Sequence, residues 1–131
     1  MTSKISASLT ISGDSLDFEQ CSEAIGLPPS SVFERPYDYD SSLVASRQWC
    51  LTTDKSEWES VDDAITCLLK MIPSLTNVSQ FLKKGDYDLE IACSVDVYED
   101  RPLFEFSLRT IECLFCLKAR FSMEIHDYTE D

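Results

Sequence analysis

Glycine and histidine are scarce in this sequence, and their scarcity limits the chemistry that it can support. The 131 residues include 3 Gly and 1 His, so no Gly-rich loop is present to bind phosphate groups. The single histidine, His126, has no second pair of ligands at the spacing of a zinc site, and no serine or cysteine motif offers it a nucleophile. We therefore expect a protein that is not an enzyme and that holds no metal or cofactor.

Long apolar segments are also missing. No stretch approaches the roughly 18 apolar residues that a membrane helix requires. Residues 1–8 alternate polar and apolar side chains, whereas a signal peptide has a continuous apolar run there. We expect no association with membranes and a cytosolic location, in which the 6 Cys remain reduced thiols.

Positive charge is the third shortage. The chain has 11 Lys and Arg against 24 Asp and Glu, which gives a formal net charge of -13. Such a charge repels nucleic acids and anionic lipids, and it attracts basic proteins and accelerates their association in a salt-dependent way. The same surplus also increases solubility without any partner, so charge alone does not identify a function.

Hydrophobic periodicity predicts a single α+β domain over residues 1–131. The strand patterns alternate cleanly, so each strand should bury one of its faces. This pattern predicts an antiparallel or mixed sheet of about five strands with helices packed on one face. Two β-α-β units, one beginning at Ile5 and one near Tyr87, suggest a ferredoxin-like duplication. Residues 28–46 have loop composition, and Phe104 and Phe106 suggest a short hairpin partner for the strand before them.

The last predicted helix has an unusual apolar distribution. Its apolar residues cover most of the circumference, so we expect this helix either to be deeply buried or to lie at an interface. A homodimer formed through residues 108–119 is compatible with this pattern. The residues concerned are Leu108, Ile111, Leu114, Phe115 and Leu117.

Cys113 and Cys116 in this helix form the one recognisable short motif, a Cys-x-x-Cys pair. A redox pair needs an accessible thiolate of lowered pKa at a helix start, whereas these thiols lie inside an apolar helix beside Glu112. We expect both to pack in the core, as we do for Cys21 and Cys93.

A Tyr-Asp repeat in the long loop is the first candidate for partner binding. Tyr37, Asp38, Tyr39 and Asp40 lie where neither a helix nor a core requires them. Aromatic rings provide contact area at low entropic cost, and carboxylates pair with Arg or Lys of a partner. The alternative is a solvated loop whose tyrosines cover the edge of the core.

A similar mixture of acidic and aromatic residues follows a short second strand, which Trp49, Leu51 and Thr53 predict. The segment combines three carboxylates with an indole, from Asp54, Glu57, Glu59 and Trp58. The indole falls outside the apolar stripe of the helix that is predicted to follow. The four residues form the second candidate for partner binding. The acids on the polar face of the sheet would either extend the same negative surface or be ordinary solvated side chains; they are Asp88, Glu90, Asp96 and Glu124.

Four features together resemble a known bacterial family. They are Ala-Ser-Leu-Thr-Ile-Ser-Gly at residues 7–13, the helix exit Ile-Gly-Leu-Pro at residues 25–28, Trp49 in a short strand, and the closing Ile-His-Asp-Tyr at residues 125–128. The pattern resembles the domain-of-unknown-function family numbered 4279, over nearly the whole chain. The loop after Pro28 departs from the family pattern, because it has no glycine and carries the Tyr-Asp repeat.

Members of that family are often considered immunity proteins of bacterial toxin systems. The resemblance therefore implies a protein that binds and neutralises a basic toxin domain, such as a nuclease, by occlusion, and it transfers no catalytic residues. The alternative is a small-ligand-binding regulatory module that acts as a dimer.

Overall fold

A mixed β-sheet with helices on one face forms the framework of the protein. The structure is a computed structural model that describes residues 2–34 and 47–129. In these ranges the elements are β1 (Lys4–Ser12), α1 (Phe18–Ile25), β2 (Ser31–Glu34), β3 (Arg47–Thr52), α2 (Val61–Met71), α3 (Leu75–Gly85), β4 (Asp88–Val97), α4 (Leu108–Cys116) and β5 (Arg120–Asp127).

The described strands form one sheet in the order β2-β3-β1-β4-β5. All neighbouring strands are antiparallel except β4 and β5, which are parallel. The predicted α+β class, with a mixed sheet of about five strands and helices on one face, is confirmed.

The connections explain the ferredoxin-like pattern. The elements β1-α1-β2 form one split β-α-β unit, and β3-α2-α3-β4 form a second unit whose strands alternate with those of the first. A β-α-β unit does begin near Ile5, but β2, which closes it, was not predicted. The unit predicted near Tyr87 is β4-α4-β5, a simple parallel unit added at the edge of the sheet. The second ferredoxin-like unit, β3-α2-α3-β4, begins instead at Arg47. Its last strand, β4, is also the first strand of the β4-α4-β5 unit.

One face of the sheet supplies the core. The alternating residues of β1 from Ile5 to Ile11 are fully buried, and Trp49 of β3 is buried with them. Cys21 and Cys93 belong to the same cluster, so their predicted core position is confirmed. The helices contribute apolar side chains from their inward faces, which are Ile25, Val61, Ala64, Ile65, Leu68, Leu69, Val78 and Leu82.

Side chains at the helix starts fix where the helices begin. Asp17 accepts hydrogen bonds from the backbone amides of Glu19 and Gln20 at 2.9 and 3.1 Å. Ser60 accepts one from the amide of Asp63 at 3.1 Å and so caps α2. These bonds satisfy amides that have no partner within the helix, which is why Asp and Ser are favoured there.

Two local predictions were wrong. Residues 31–34, predicted as loop, form β2, whose four side chains are all exposed and therefore leave no burial pattern in the sequence. The segment with Phe104 and Phe106 is not a hairpin partner of β4. Its Leu103 forms an isolated parallel bridge with Ser60 instead, so the chain after β4 runs to the start of α2.

None of the helices in the described ranges has the length and apolar character needed to cross a lipid bilayer.

Candidate functional site

The first group of predicted binding residues lies outside the described ranges. Tyr37, Asp38, Tyr39 and Asp40 all fall in the interval between β2 and β3 that the structure does not describe. Their role in binding stays a prediction.

The second group lies on the segment between β3 and α2, residues 54–59, which we call the acidic connection. Ser56 exchanges two backbone hydrogen bonds with Ile5 of β1, of 2.8 and 3.0 Å. On the other side the amide of Leu103 donates to the carbonyl of Glu59 at 2.8 Å. The acidic connection is therefore fixed from both sides although it has no helix or strand of its own.

The carboxylates of this segment are open to solvent. Asp54, Glu57 and Glu59 are all exposed, and no Lys or Arg of the described residues lies within ion-pair distance of them. Lys55 pairs instead with Asp96 of the sheet, with 2.8 Å between Nζ and Oδ2. Three negative charges without an ion-pair partner in residues 2–34 and 47–129 are thus held close together along the chain on a fixed backbone.

Trp58 has a different environment from its acidic neighbours. Its side chain is half-buried and packs against the core. Its Nε1 is buried and has no hydrogen-bond partner among the residues that the structure describes. The indole also lines a groove on the outer side of α2 together with Met71. Trp58 therefore lines this groove with its ring, and it does not project from the protein as an anchor residue.

Two apolar residues that sequence reasoning did not propose for binding adjoin the acidic connection. Leu103 and Phe104 are 57% and 46% exposed. Leu103 is bonded to Glu59 through the backbone, and the exposed Glu105 follows directly. The sequence gave one indication that these two residues do not belong to a strand. Pro102 has no backbone N–H to donate to a neighbouring strand, so it argues against a strand that continues through it.

The polar face of the sheet does not simply extend the negative surface. Glu90 lies 4.0 Å from Arg120, and Glu124 lies 3.1 Å from the ring of His126. With Asp96 bound to Lys55, three of the four acids predicted there have a basic neighbour. His126 is half-exposed on this open face, as expected for a surface histidine.

Exposed acids occur elsewhere as well. Glu19 and Glu23 of α1 are solvent-exposed, as is Asp86 after α3. The negative charge is therefore not confined to one patch. The acidic connection differs from these sites because its carboxylates lie beside exposed apolar side chains and a half-buried indole.

Helix α4 presents a second unusual surface. Leu108, Ile111 and Phe115 are 71%, 50% and 82% exposed. The alternative that this helix is deeply buried was therefore wrong, because only the opposite side of α4, with Thr110, packs inward. We call these three residues the α4 strip.

The two thiols of α4 differ in their environments. Cys113 is half-buried and packs against the core, as predicted, whereas the core position predicted for Cys116 was wrong, because Cys116 is exposed. By contrast, burial raises the pKa of Cys21 to about 12 and that of Cys93 to about 11. In the described ranges no group of three or more His, Cys, Asp or Glu side chains is placed to hold a metal ion.

A groove between α3 and α4 bears on the small-ligand alternative. It encloses about 540 Å³ and is lined by Leu75 and Leu117 as well as by Lys83 and Arg109. The groove is open to solvent, and its basic side chains contrast with the negative charge of the chain as a whole.

Comparison with known proteins identifies a family without an assigned activity. A family described as a domain of unknown function, DUF4279, matches residues 3–128. Neither curated proteins nor solved structures gave a significant match. Since the match covers nearly all of the sequence, this chain belongs to the DUF4279 family.

Proposed function

We propose that this protein is a cytosolic toxin-immunity protein that binds a basic bacterial toxin domain and neutralises it by occlusion. One observation carries the proposal: three exposed carboxylates, none of them ion-paired with a described Lys or Arg, lie on the fixed backbone of the acidic connection, next to the exposed Leu103 and Phe104. The immunity role itself comes from the family resemblance.

This combination fits the general anatomy of protein interfaces. Their centres are apolar and poor in charge, and their rims are polar. Leu103 and Phe104 would form the apolar part, and Asp54, Glu57 and Glu59 the charged rim. Because the backbone is already fixed by its bonds to Ile5 and Leu103, binding would not have to order it, which favours affinity.

The charge supports rapid capture of the partner. A chain of net charge -13 attracts a basic domain over long range, and unpaired carboxylates at the contact can bind Lys and Arg directly. An immunity protein must reach its toxin before damage occurs, so a high association rate suits the role. The partner would therefore be a Lys- and Arg-rich domain with an apolar contact area.

The experiment uses the toxin domain encoded next to the gene. We expect an excess of the protein to abolish the toxin's activity, and the association rate to fall as salt is added. The triple variant Asp54→Asn, Glu57→Gln, Glu59→Gln should lower that rate by about tenfold at low salt and reduce its salt dependence.

A second triple variant provides a control with the same change of charge. Glu19→Gln, Glu23→Gln and Asp86→Asn remove three charges from other exposed sites and should have a much smaller effect. A toxin that stays fully active in excess protein would refute the immunity role. Equal effects of the two triple variants would show that net charge acts without a localised contact.

The small-ligand alternative has one specific observation in its favour, the groove between α3 and α4 with Lys83 and Arg109 at its rim. A ligand that co-purifies with the protein and is lost in the variant Arg109→Gln would favour it over the immunity role.

A further inference from the structure

The α4 strip is an apolar surface that the described part of the chain leaves uncovered. Phe115 is 82% exposed, more than any other large hydrophobic side chain described. Leu108, Ile111 and Phe115 are spaced by three and four residues, so they form one continuous row along the helix. Rows of this kind on a soluble protein mark contact surfaces.

The opposite side of α4 is firmly attached, so the strip is held in a fixed orientation. Ser107 caps the helix through the amide of Thr110 at 3.2 Å, and its own amide donates to Asp62 of α2 at 2.9 Å. Phe106, just before the helix, contacts Phe121 of β5 with 5.1 Å between ring centroids. The strip therefore does not depend on partner binding for its shape.

The charges around the strip identify the kind of partner. Residues 105–118 carry Glu105 and Glu112 against Arg109 and Lys118, two acids and two bases with a sum of zero. The whole chain carries -13, so this is a locally neutral region of a strongly negative protein. A basic partner would gain little here from electrostatic attraction, whereas a second acidic chain would meet little local repulsion.

The sequence of the strip is also compatible with two-fold symmetry. Leu108 and Phe115 lie equally far from the midpoint between Ile111 and Glu112. If two copies of α4 cross antiparallel about that midpoint, Leu108 of each copy meets Phe115 of the other and the two Ile111 side chains lie near the axis. A two-fold interface of this kind uses the same patch on both subunits.

The charged border of the strip follows the same symmetry. Arg109 and Glu112 are three residues apart and so lie on neighbouring positions of one side of the helix. A two-fold axis through that midpoint places this side opposite its own copy, with Glu112 next to the axis and Arg109 opposite position 114 of the other chain. Arg109 and the Glu112 of the other chain are therefore offset by two residues along the helix, or about 3 Å, which the long Arg109 side chain can span. The two pairs would set the register, while the apolar row supplies most of the affinity.

From these observations we propose that two copies of this protein associate through the α4 strip to form a symmetric homodimer. The proposal is independent of the immunity role, since it concerns a different set of residues. A contact built on one short helix is small compared with stable interfaces of roughly 800 Å² per partner, so the dimer should be weak and dependent on concentration.

Sedimentation of the purified protein over a wide concentration range tests the proposal. We expect the average mass to rise from that of one chain towards that of two, and added salt to strengthen the association because it screens the repulsion between two chains of charge -13. Partner capture by the acidic connection has the opposite salt dependence, so failure of one proposal is distinguishable from failure of the other.

Variants at the strip locate the contact. Phe115→Glu and Leu108→Glu should each weaken the dimer by about tenfold or more. Phe33→Glu is the matched control, because Phe33 is a 47% exposed aromatic residue on β2. Arg109→Glu should weaken the dimer, and adding Glu112→Arg should restore it.

Three results would overturn the proposal. The first is a single-chain mass at the highest concentration. The second is a dimer that both strip variants leave intact, or that Phe33→Glu weakens equally. The third is a single-chain protein in which Phe115→Glu abolishes toxin binding, which would assign the strip to the toxin. Circular dichroism of each variant checks that the fold is retained.

Discussion

Trp49 and Ser22 are joined by a hydrogen bond in which the indole Nε1 donates to the serine Oγ at 3.0 Å. Trp49 is fully buried in β3, and Ser22 lies on α1, so the bond connects the sheet to the first helix. A buried indole N–H without a partner is costly, and Ser22 supplies that partner.

We predict that Ser22→Ala lowers the free energy of unfolding by about 1–3 kcal/mol, because it leaves the indole N–H buried without an acceptor. Urea unfolding followed by tryptophan fluorescence measures the loss. In a Trp49→Phe background the same substitution should cost close to nothing, since the donor is already gone. An equal cost in both backgrounds would mean that Ser22 acts through something other than this bond.

Trp58 provides the opposite case. Its Nε1 is buried and finds no acceptor among the described residues. We predict that Trp58→Phe changes the free energy of unfolding by less than about 1 kcal/mol, because the lost contact area is offset by removal of an unsatisfied donor. Trp58→Ala should cost about 2 kcal/mol or more through the cavity that it leaves.

These two variants of Trp58 also separate its packing role from binding. If Trp58→Phe destabilises as much as Ser22→Ala does, the indole N–H has an acceptor in the folded protein. If Trp58→Phe retains stability and toxin affinity, the ring acts as a wall of the acidic connection and its N–H takes no part in recognition.

Much of the fold was predictable because burial leaves a pattern in the sequence. Strands β1 and β4 bury every second residue, so Ile5 to Ile11 and Leu89 to Val97 alternate as they must. Capping residues such as Asp17 and Ser60 are equally visible, since only a few side chains can satisfy free amides at a helix start.

The remaining elements depend on interactions that do not select side chains. Strand β2 is held to β3 by main-chain pairing while all four of its side chains face solvent, so no periodicity marks it. The bridge between Leu103 and Ser60 is likewise a main-chain contact. It brings Leu103 beside the acidic connection, a relationship that sequence spacing of more than forty residues cannot indicate.

The open side of α4 was only half predictable. The sequence indicates that apolar residues surround the helix, which fits burial or an interface equally well. The structure decides against burial, because Phe115 and Leu108 point away from the core.

A third prediction concerns pH. The amide and the hydroxyl of Ser3 both donate to Asp100, at 2.8 and 3.1 Å. These bonds, the backbone one foremost, lower the pKa of Asp100 below its ordinary value. Since the folded pKa lies below the unfolded one, this contact stabilises the fold above about pH 4 and is lost as the pH falls further.

NMR titration of the Asp100 carboxyl carbon measures this shift directly. We predict a pKa below the ordinary value of about 3.9, and a rise towards that value in Ser3→Ala, which removes one of the two donors. A pKa of Asp100 that does not move in Ser3→Ala would show that the hydroxyl contributes nothing to the shift.

The last prediction uses the differing environments of the cysteines. Reaction with a thiol reagent requires that the sulfur is accessible and that it is ionised to the thiolate. Burial shields Cys21 and Cys93 from the reagent, and it also disfavours their thiolates by raising their pKa values to about 12 and about 11. Cys116 is exposed.

At mildly alkaline pH and low protein concentration, where the chain is single, Cys116 should react first with an aromatic disulfide reagent, and Cys21 and Cys93 should react only at the rate of unfolding. The variant Cys116→Ser should remove the fast phase and leave the slow phase unchanged. Mass spectrometry of the labelled peptides assigns each phase, and rapid labelling of Cys93 in the folded protein would contradict its place in the core. If the dimer through the α4 strip forms, labelling of Cys116 should also slow as the protein concentration rises, because Cys116 lies on the same side of the helix as Arg109 and Glu112.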